Sequence, residues 1–343
     1  MAAESLRSLS LPQAVQRFEA MQLPLRPATL HPRYVAADAS RNAILEPVYL
    51  AFERQGHCWT HNLHLTAIAG TDLKDASSPY GYGGPLSSSD DPEFLGAAWQ
   101  AYTEWMTQQR VVVEYVRFHP AVANERFHGG QAADNRVVVW MDLSPPDLVA
   151  AYAPRLRHTL KKAGRAALVY RETPLASYVH EFGVFYRQAM GEIAADPFFL
   201  FDDAYFGLLA ASGFARLGVC RRDDSADGPW LAACIFLDGG RLREYHLAAT
   251  SAEGRAVGAS AFTLHHGALS ARSQGLRRLY LGGGSDARPA NPLLFFKSAF
   301  STERLTYRTG ASVFRSADYD RLKQLFPAAW SAHPERPIFY RKV

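Results

Sequence analysis

Leu276-Arg277-Arg278-Leu279-Tyr280-Leu281 runs into Gly282-Gly283-Gly284, and Phe295-Phe296-Lys297-Ser298-Ala299-Phe300 follows shortly after. The first six residues read as a strand and the glycines as a turn. Lysine is seldom buried without a partner, so a lysine set among aromatics either pairs with an acid inside the fold or faces a ligand. Working outward, residues 230–237 and 243–249 read as a hairpin about Asp238-Gly239-Gly240, and a helix over 258–274 leads into the strand. The first half runs in the same order: a strand over 58–69, a loop at 80–85, a helix over 94–109 and a strand over 111–118. One plan used twice predicts a mixed α/β protein of two tandem domains. The double proline of Ser144-Pro145-Pro146 marks the break between them.

Several segments carry a resemblance. Glycines, then Phe-Lys-x-x-Phe, then a strand over 305–314 resemble the end of the second domain in the FemABX family of non-ribosomal aminoacyl transferases, relatives of the GNAT acyltransferases. Ser78-Pro79-Tyr80-Gly81-Tyr82-Gly83-Gly84-Pro85 is similar to the family's first-domain glycine and tyrosine loop, and Arg117-Phe118-His119-Pro120 to its turn after a strand. The basic segment 155–165 resembles the helix that opens the second domain, and Phe185-Tyr186-Arg187, Pro197-Phe198-Phe199 and Tyr205-Phe206 resemble an aromatic substrate wall.

The resemblance implies two tandem GNAT-like domains with a cleft at their junction. The first, residues 1–145 with about 317–343 returning to complete it, would be the acceptor side; the second, 146–316, the donor side. A helix over 317–326 and a strand over 338–342 are expected in the returning segment. The implied activity is transfer of an aminoacyl group from aminoacyl-tRNA, or an acyl group from a thioester, to an amine. The amine would belong to a cell-envelope precursor, a sugar or a small metabolite. Lys297 and Phe296 would be catalytic. Tyr80, Tyr82, Gly83, Arg117, Tyr186, Arg187, Tyr205 and Tyr245 would bind substrate. Arg155, Arg157, Lys161, Lys162 and Arg165, with Arg255 and Gly258, would bind donor phosphates.

The residues support parts of this directly. Arg157, Lys161 and Arg165 fall on one helical face, with Arg155 and Lys162 nearby, and read either as a solvated stripe or as a track for phosphates. Arg255-Ala256-Val257-Gly258-Ala259-Ser260 is similar to the pyrophosphate loop of acetyl-CoA-dependent GNAT enzymes, with Ser260 where glycine or alanine is usual. It keeps an acetyl-CoA-dependent N-acetyltransferase of an amino sugar open; a non-catalytic tandem-GNAT binding module is the third reading. Direct attack by an amine requires no enzyme nucleophile, and no G-x-S-x-G elbow is present. Where relatives acting on cell-wall nucleotide precursors carry a phosphate-gripping arginine, Phe201-Asp202-Asp203 stands here, and an acidic pair repels a diphosphate.

Composition sets the limits. A chain of 343 residues, 48% hydrophobic and 20% charged, can bury two cores. The formal charge of +4 and pI near 8.9 fit phosphate-bearing partners. No window approaches 18 uncharged apolar residues, and residues 1–11 lack the pattern of a secretion signal, so a cytoplasmic protein without a transmembrane segment is expected. Cys58, Cys220 and Cys234 read as reduced structural thiols. His57, His61 and His64, like His265 and His266, have no carboxylates spaced to complete a metal site. Neither a metal nor a permanently bound cofactor is expected.

Overall fold

The computed structural model describes residues 6–222, 228–286, 288 and 290–341. The chain divides into two units: Met1–Leu23, Thr29–Asn135 and Tyr307–Val343 form the first, Pro24–Ala28 and Arg136–Thr306 the second. The division falls inside a strand, ahead of Ser144-Pro145-Pro146, and the return to the first unit begins at Tyr307.

The chain opens with β1 (Arg7–Ser8), α1 (Leu11–Ala20), α2 (Pro32–Ala39), β2 (Glu46–Arg54), β3 (His57–Ala67), β4 (Lys74–Ser77) and β5 (Leu86–Ser87). Next come α3 (Pro92–Gln108) and β6 (Val111–Arg117). Local chemistry starts α3: Asp91 accepts a hydrogen bond from the Phe94 N–H (3.0 Å), and Pro92 occupies the first turn. Phe94, Ala98, Tyr102 and Met106, four residues apart, make the buried face. They pack on Leu50, Phe52, Trp59 and Leu63 of β2 and β3, each large side chain contributing about 1.5–3 kcal/mol.

Strand β7 (Gln131–Asp142) carries the chain from one unit to the other. The second unit continues with α4 (Pro154–Arg165), β8 (Val169–Pro174), α5 (Val179–Glu192), α6 (Asp203–Ala211), β9 (Ala215–Arg221), β10 (Ala232–Gly239) and β11 (Leu242–Thr250). It closes with α7 (Ala252–Val257), α8 (Ala259–Ser273), β12 (Arg278–Gly282) and α9 (Pro292–Lys297). After β13 (Arg304–Val313) the chain adds α10 (Ser316–Leu325) and α11 (Pro327–Ala332) to the first unit.

The first unit orders its strands β1-β2-β3-β4-β6-β13, with β5 on β3, and the second β7-β12-β11-β10-β9-β8. Each has a single parallel pair among antiparallel neighbours: β4 with β6, joined through α3, and β11 with β12, joined through α8. A parallel pair needs a long crossover, which the helix supplies. Gly267 lets α8 lie against β10, because a Cβ there would come within 2.3 Å of the Phe236 ring.

The last expected strand is absent. Residues 338–341 form turns, and Lys342 lies outside the described residues. Ile338 and Phe339 are both buried, which a one-sided strand with alternating faces cannot do. Phe339 packs with Ile68, Leu73, Val112 and Leu322, and Arg341 pairs with buried Asp75.

Candidate functional site

Strands β11 and β12 are paired only over Leu242–Glu244 with Arg278–Tyr280, so the rest of β11, starting at Tyr245, continues without β12. At that end β12 turns through Gly282, whose φ of 75° suits glycine. Gly284 approaches Asn291 so closely that a Cβ would come within 2.5 Å of its side chain. Asn291 then starts α9, its Oδ1 accepting from the N–H groups of Leu293 (3.0 Å) and Leu294 (3.2 Å). The six-residue helix ends on Lys297, whose Nζ donates back to the Gly283 carbonyl at 2.8 Å. Glycine turn and lysine thus form one device.

Lys297 is 7% exposed, and among the described residues no carboxylate pairs with it. Its ammonium has three donors, of which the Gly283 carbonyl takes one. The Tyr245 ring lies 5.8 Å from Nζ. Burial pulls the Lys297 pKa down to about 7, and the neighbouring Cys234 opposes that fall. Burial also pushes the Cys234 thiol and the Tyr245 phenol well up, so both are neutral near pH 7. Phe296, on the same helix, packs edge-on against Phe300 (5.4 Å), while Phe295 is exposed. An uncompensated cation held on a rigid turn can meet charge as it develops on a bound carbonyl or phosphate.

The basic helix α4 divides its charges. Arg155 donates to the Phe295 carbonyl (2.8 Å) and lies 3.7 Å over the Phe295 ring, and Lys162 donates to the Ala256 carbonyl (2.8 Å). Arg157, Lys161 and Arg165 are exposed, with no ion pair or side-chain hydrogen bond among the described residues. Arg255–Val257 is not a loop; it ends helix α7, and Gly258 (φ 79°) joins it to α8. Arg255 pairs with Glu192 (3.0 Å), and Thr159 of α4 would meet a Cβ on Gly258 at 2.7 Å. At the start of α8, Gly258 thus lies against Thr159 of α4, and Arg255 is engaged with Glu192.

Tyr186 and Tyr205 are buried among Phe182, Phe201 and Phe206. The Tyr205 hydroxyl lies 2.6 Å from His246 Nε2. Arg187 pairs with Asp203 (2.8 Å), and Asp202 caps α6 by accepting from the Tyr205 N–H (2.8 Å). The acidic pair is occupied in the fold rather than set out against a phosphate.

In the first unit the 78–85 loop is pinned. Tyr34 donates to the Tyr80 carbonyl (2.8 Å), and the Tyr80 N–H donates to Asp38 (2.7 Å). Burial pushes the Tyr80 hydroxyl up to about 12. Arg117 donates to the Ser78 carbonyl (3.2 Å) and accepts from the Gly83 N–H (2.7 Å). Tyr82 stands edge-on to His119 (4.8 Å) and Tyr307 (5.6 Å). Tyr82 and Arg117 keep partly exposed surface. His119 is buried, and its Nδ1 accepts from the Ala121 N–H (3.2 Å), which makes it a turn residue.

No protein-family model matches the chain, and no curated protein does. Among solved structures, the crystal structure of FemX matches at TM-score 0.71 and 12% identity, over 93% of this chain and 100% of FemX. The fold is that of FemX. L-PGS from Bacillus licheniformis matches at TM-score 0.55 and 12% identity, over 92% of this chain and 95% of that one. A conserved protein of unknown function from Bacteroides thetaiotaomicron VPI-5482 matches at TM-score 0.57 and 9% identity, over 91% of this chain and all of that one. The FemABX-like, mixed α/β fold expected from the motifs is the fold observed.

Within this FemX-like fold, sequence reasoning missed two features. Buried Glu114 sits between His61 (2.7 Å) and His128 (3.2 Å), and the two imidazoles outweigh the effect of burial and hold its carboxyl well below the usual range. The three come from separate segments, so no local spacing signals them. The second is the wall that α8 sets opposite Arg157 and Lys161. No group of three or more His, Cys, Asp or Glu able to hold a metal occurs among the described residues, nor does a helix long and apolar enough to cross a membrane.

Proposed function

We propose that this chain transfers an aminoacyl group from aminoacyl-tRNA to the amine of a sugar, an envelope precursor or a small metabolite. The observation that carries the reading is Lys297: a buried cation with no carboxylate partner among the described residues, held by the Gly283 carbonyl where β11 leaves β12. The likeness to FemX supports it. The acceptor nitrogen attacks the ester carbonyl, a C–N bond forms, and the carbonyl oxygen takes up negative charge that the Lys297 ammonium offsets. The ester C–O bond then breaks, the leaving oxygen gains a proton and the amine loses one. Charged tRNA as donor places the activity in the cytoplasm. The acetyl-CoA reading has less support, because Thr159 lies against Gly258 at the start of α8 and Lys162 is engaged with the Ala256 carbonyl at the end of α7. Tyr82, Gly83 and Arg117 of the first unit are the acceptor-side residues we propose.

Melting the pure protein with charged tRNA, uncharged tRNA or acetyl-CoA tests this. A ligand at a hundredfold its Kd adds about 2.7 kcal/mol of stability. Charged tRNA is expected to stabilise most. Stabilisation by acetyl-CoA alone would replace the donor, and no turnover with either donor would leave a binding module.

A further inference from the structure

Arg157 and Lys161 lie one turn apart on α4 and line a cavity of about 640 Å³ with His158, Phe262, His265 and His266. The volume suits a small organic ligand. Its two walls differ in kind. On the α4 side, Arg157, His158 and Lys161 have no ion pair or side-chain hydrogen bond among the described residues. On the α8 side the rings are fixed: His266 lies 4.2 Å from Phe262 and stacks on Tyr170 at 5.6 Å, and His265 Nδ1 is 3.1 Å from the Tyr152 hydroxyl. This wall is uncharged near neutrality. Burial, then His266 and Arg272, pull His265 down to about 4, and burial lowers His266 as well.

A cavity with free cations on one wall and rigid neutral rings on the other is complementary to a molecule that joins a phosphate to a flat base. A bare anion would leave the rings unused, and a neutral aromatic would leave the cations unused. We propose that the α4–α8 cavity is a nucleotide-binding site, with the phosphate at Arg157 and Lys161 and the base against Phe262 and His266. The nucleotide is either free or the end of an RNA strand. The site stands whether or not Lys297 is catalytic, because none of its residues is part of the Lys297 device.

Titrating the full-length protein with adenosine monophosphate, adenosine, inorganic phosphate and a four-nucleotide RNA ending in adenosine tests the site. The monophosphate is expected to bind about tenfold or more tightly than adenosine or phosphate alone, on the scale of one base stack. The exposed pair Arg157→Gln with Lys161→Gln should weaken it about tenfold and flatten its salt dependence without moving Tm. Phe262→Leu, which keeps apolar bulk, should weaken the monophosphate but leave phosphate binding unchanged. Lys297→Met should bind it as the wild type does, so loss of the transferase reading would leave this result intact. Tighter binding of the RNA with the same sensitivity to these variants identifies an RNA end as the source; equal or weaker binding identifies the free nucleotide. Absence of binding by both, binding unchanged in these variants, or phosphate bound as tightly as the monophosphate overturns the proposal.

Discussion

Among the described residues the second unit buries two cations, Arg243 and Lys297, under opposite terms. Arg243 on β11 spends all five of its N–H donors: two on Glu172 (2.8 and 2.9 Å), two on Asp238 (2.7 and 2.8 Å) and one on the Gly267 carbonyl (3.0 Å). Burial alone would lower its pKa, and the bonds to Asp238 and Glu172 more than reverse that. Lys297 has one carbonyl, and burial acts on it almost unopposed. A cation whose donors are all satisfied inside the fold holds the fold. One left short is held for something that arrives.

The largest effect expected is at Arg243. Arg243→Met leaves Glu172 and Asp238 beside an apolar chain and should cost about 3–5 kcal/mol in denaturant unfolding. A loss under about 1 kcal/mol would erase the contrast, because the paired cation would then matter to the fold no more than a surface one.

Lys297→Met comes next and acts on a different quantity. Turnover with the donor that stabilises the protein should fall roughly 10²-fold, the scale of losing one preorganised electrostatic donor. Lys297→Arg should restore little, since a planar fork does not fit the place of a compact ammonium. Full turnover in Lys297→Met would remove the residue from the chemistry.

Asn291 sharpens the comparison at a smaller scale. Asn291→Ala removes the cap of α9 and should cost about 1 kcal/mol of stability. Its effect on turnover should be smaller than that of Lys297→Met, because it loosens the lysine's support while leaving the cation present. Stability lost with turnover per folded molecule wholly unchanged would mean that the cap does not position Lys297.

What could be read from the sequence follows the range of each signal. The glycine turn and Lys297 are near neighbours in the chain, so their association was legible; the Asn291 cap between them was not singled out. The β10–β11 hairpin and the helices α3, α4 and α8 declared themselves through periodicity and turn residues. Glu114 with His61 and His128 was not legible, because strand β6, strand β3 and the segment before β7 supply one residue each and only the tertiary fold brings them together. The burial of Tyr186 and Tyr205 was not legible for a related reason: a tyrosine looks the same in sequence whether its ring packs in a core or lines a cleft. Half of the nucleotide cavity was visible as the α4 stripe. The His265-His266 half had prompted only a question about metals.

The most direct test of the contrast requires no substrate: the melting temperatures of the wild type and Lys297→Met, compared from pH 6 to pH 10.5. With a folded pKa of about 7 against an ordinary 10.5, the unfolded chain binds the extra proton between those values. The wild type therefore gains stability from this site as pH rises through that window. Below about pH 7 it carries the full cost of a buried, uncompensated charge. The account predicts that Lys297→Met melts at or above the wild type at pH 6, with an advantage that shrinks toward pH 10.5. A variant that melts well below the wild type at pH 6 and recovers toward pH 10.5 would show that the Lys297 charge stabilises the fold, and would contradict the account.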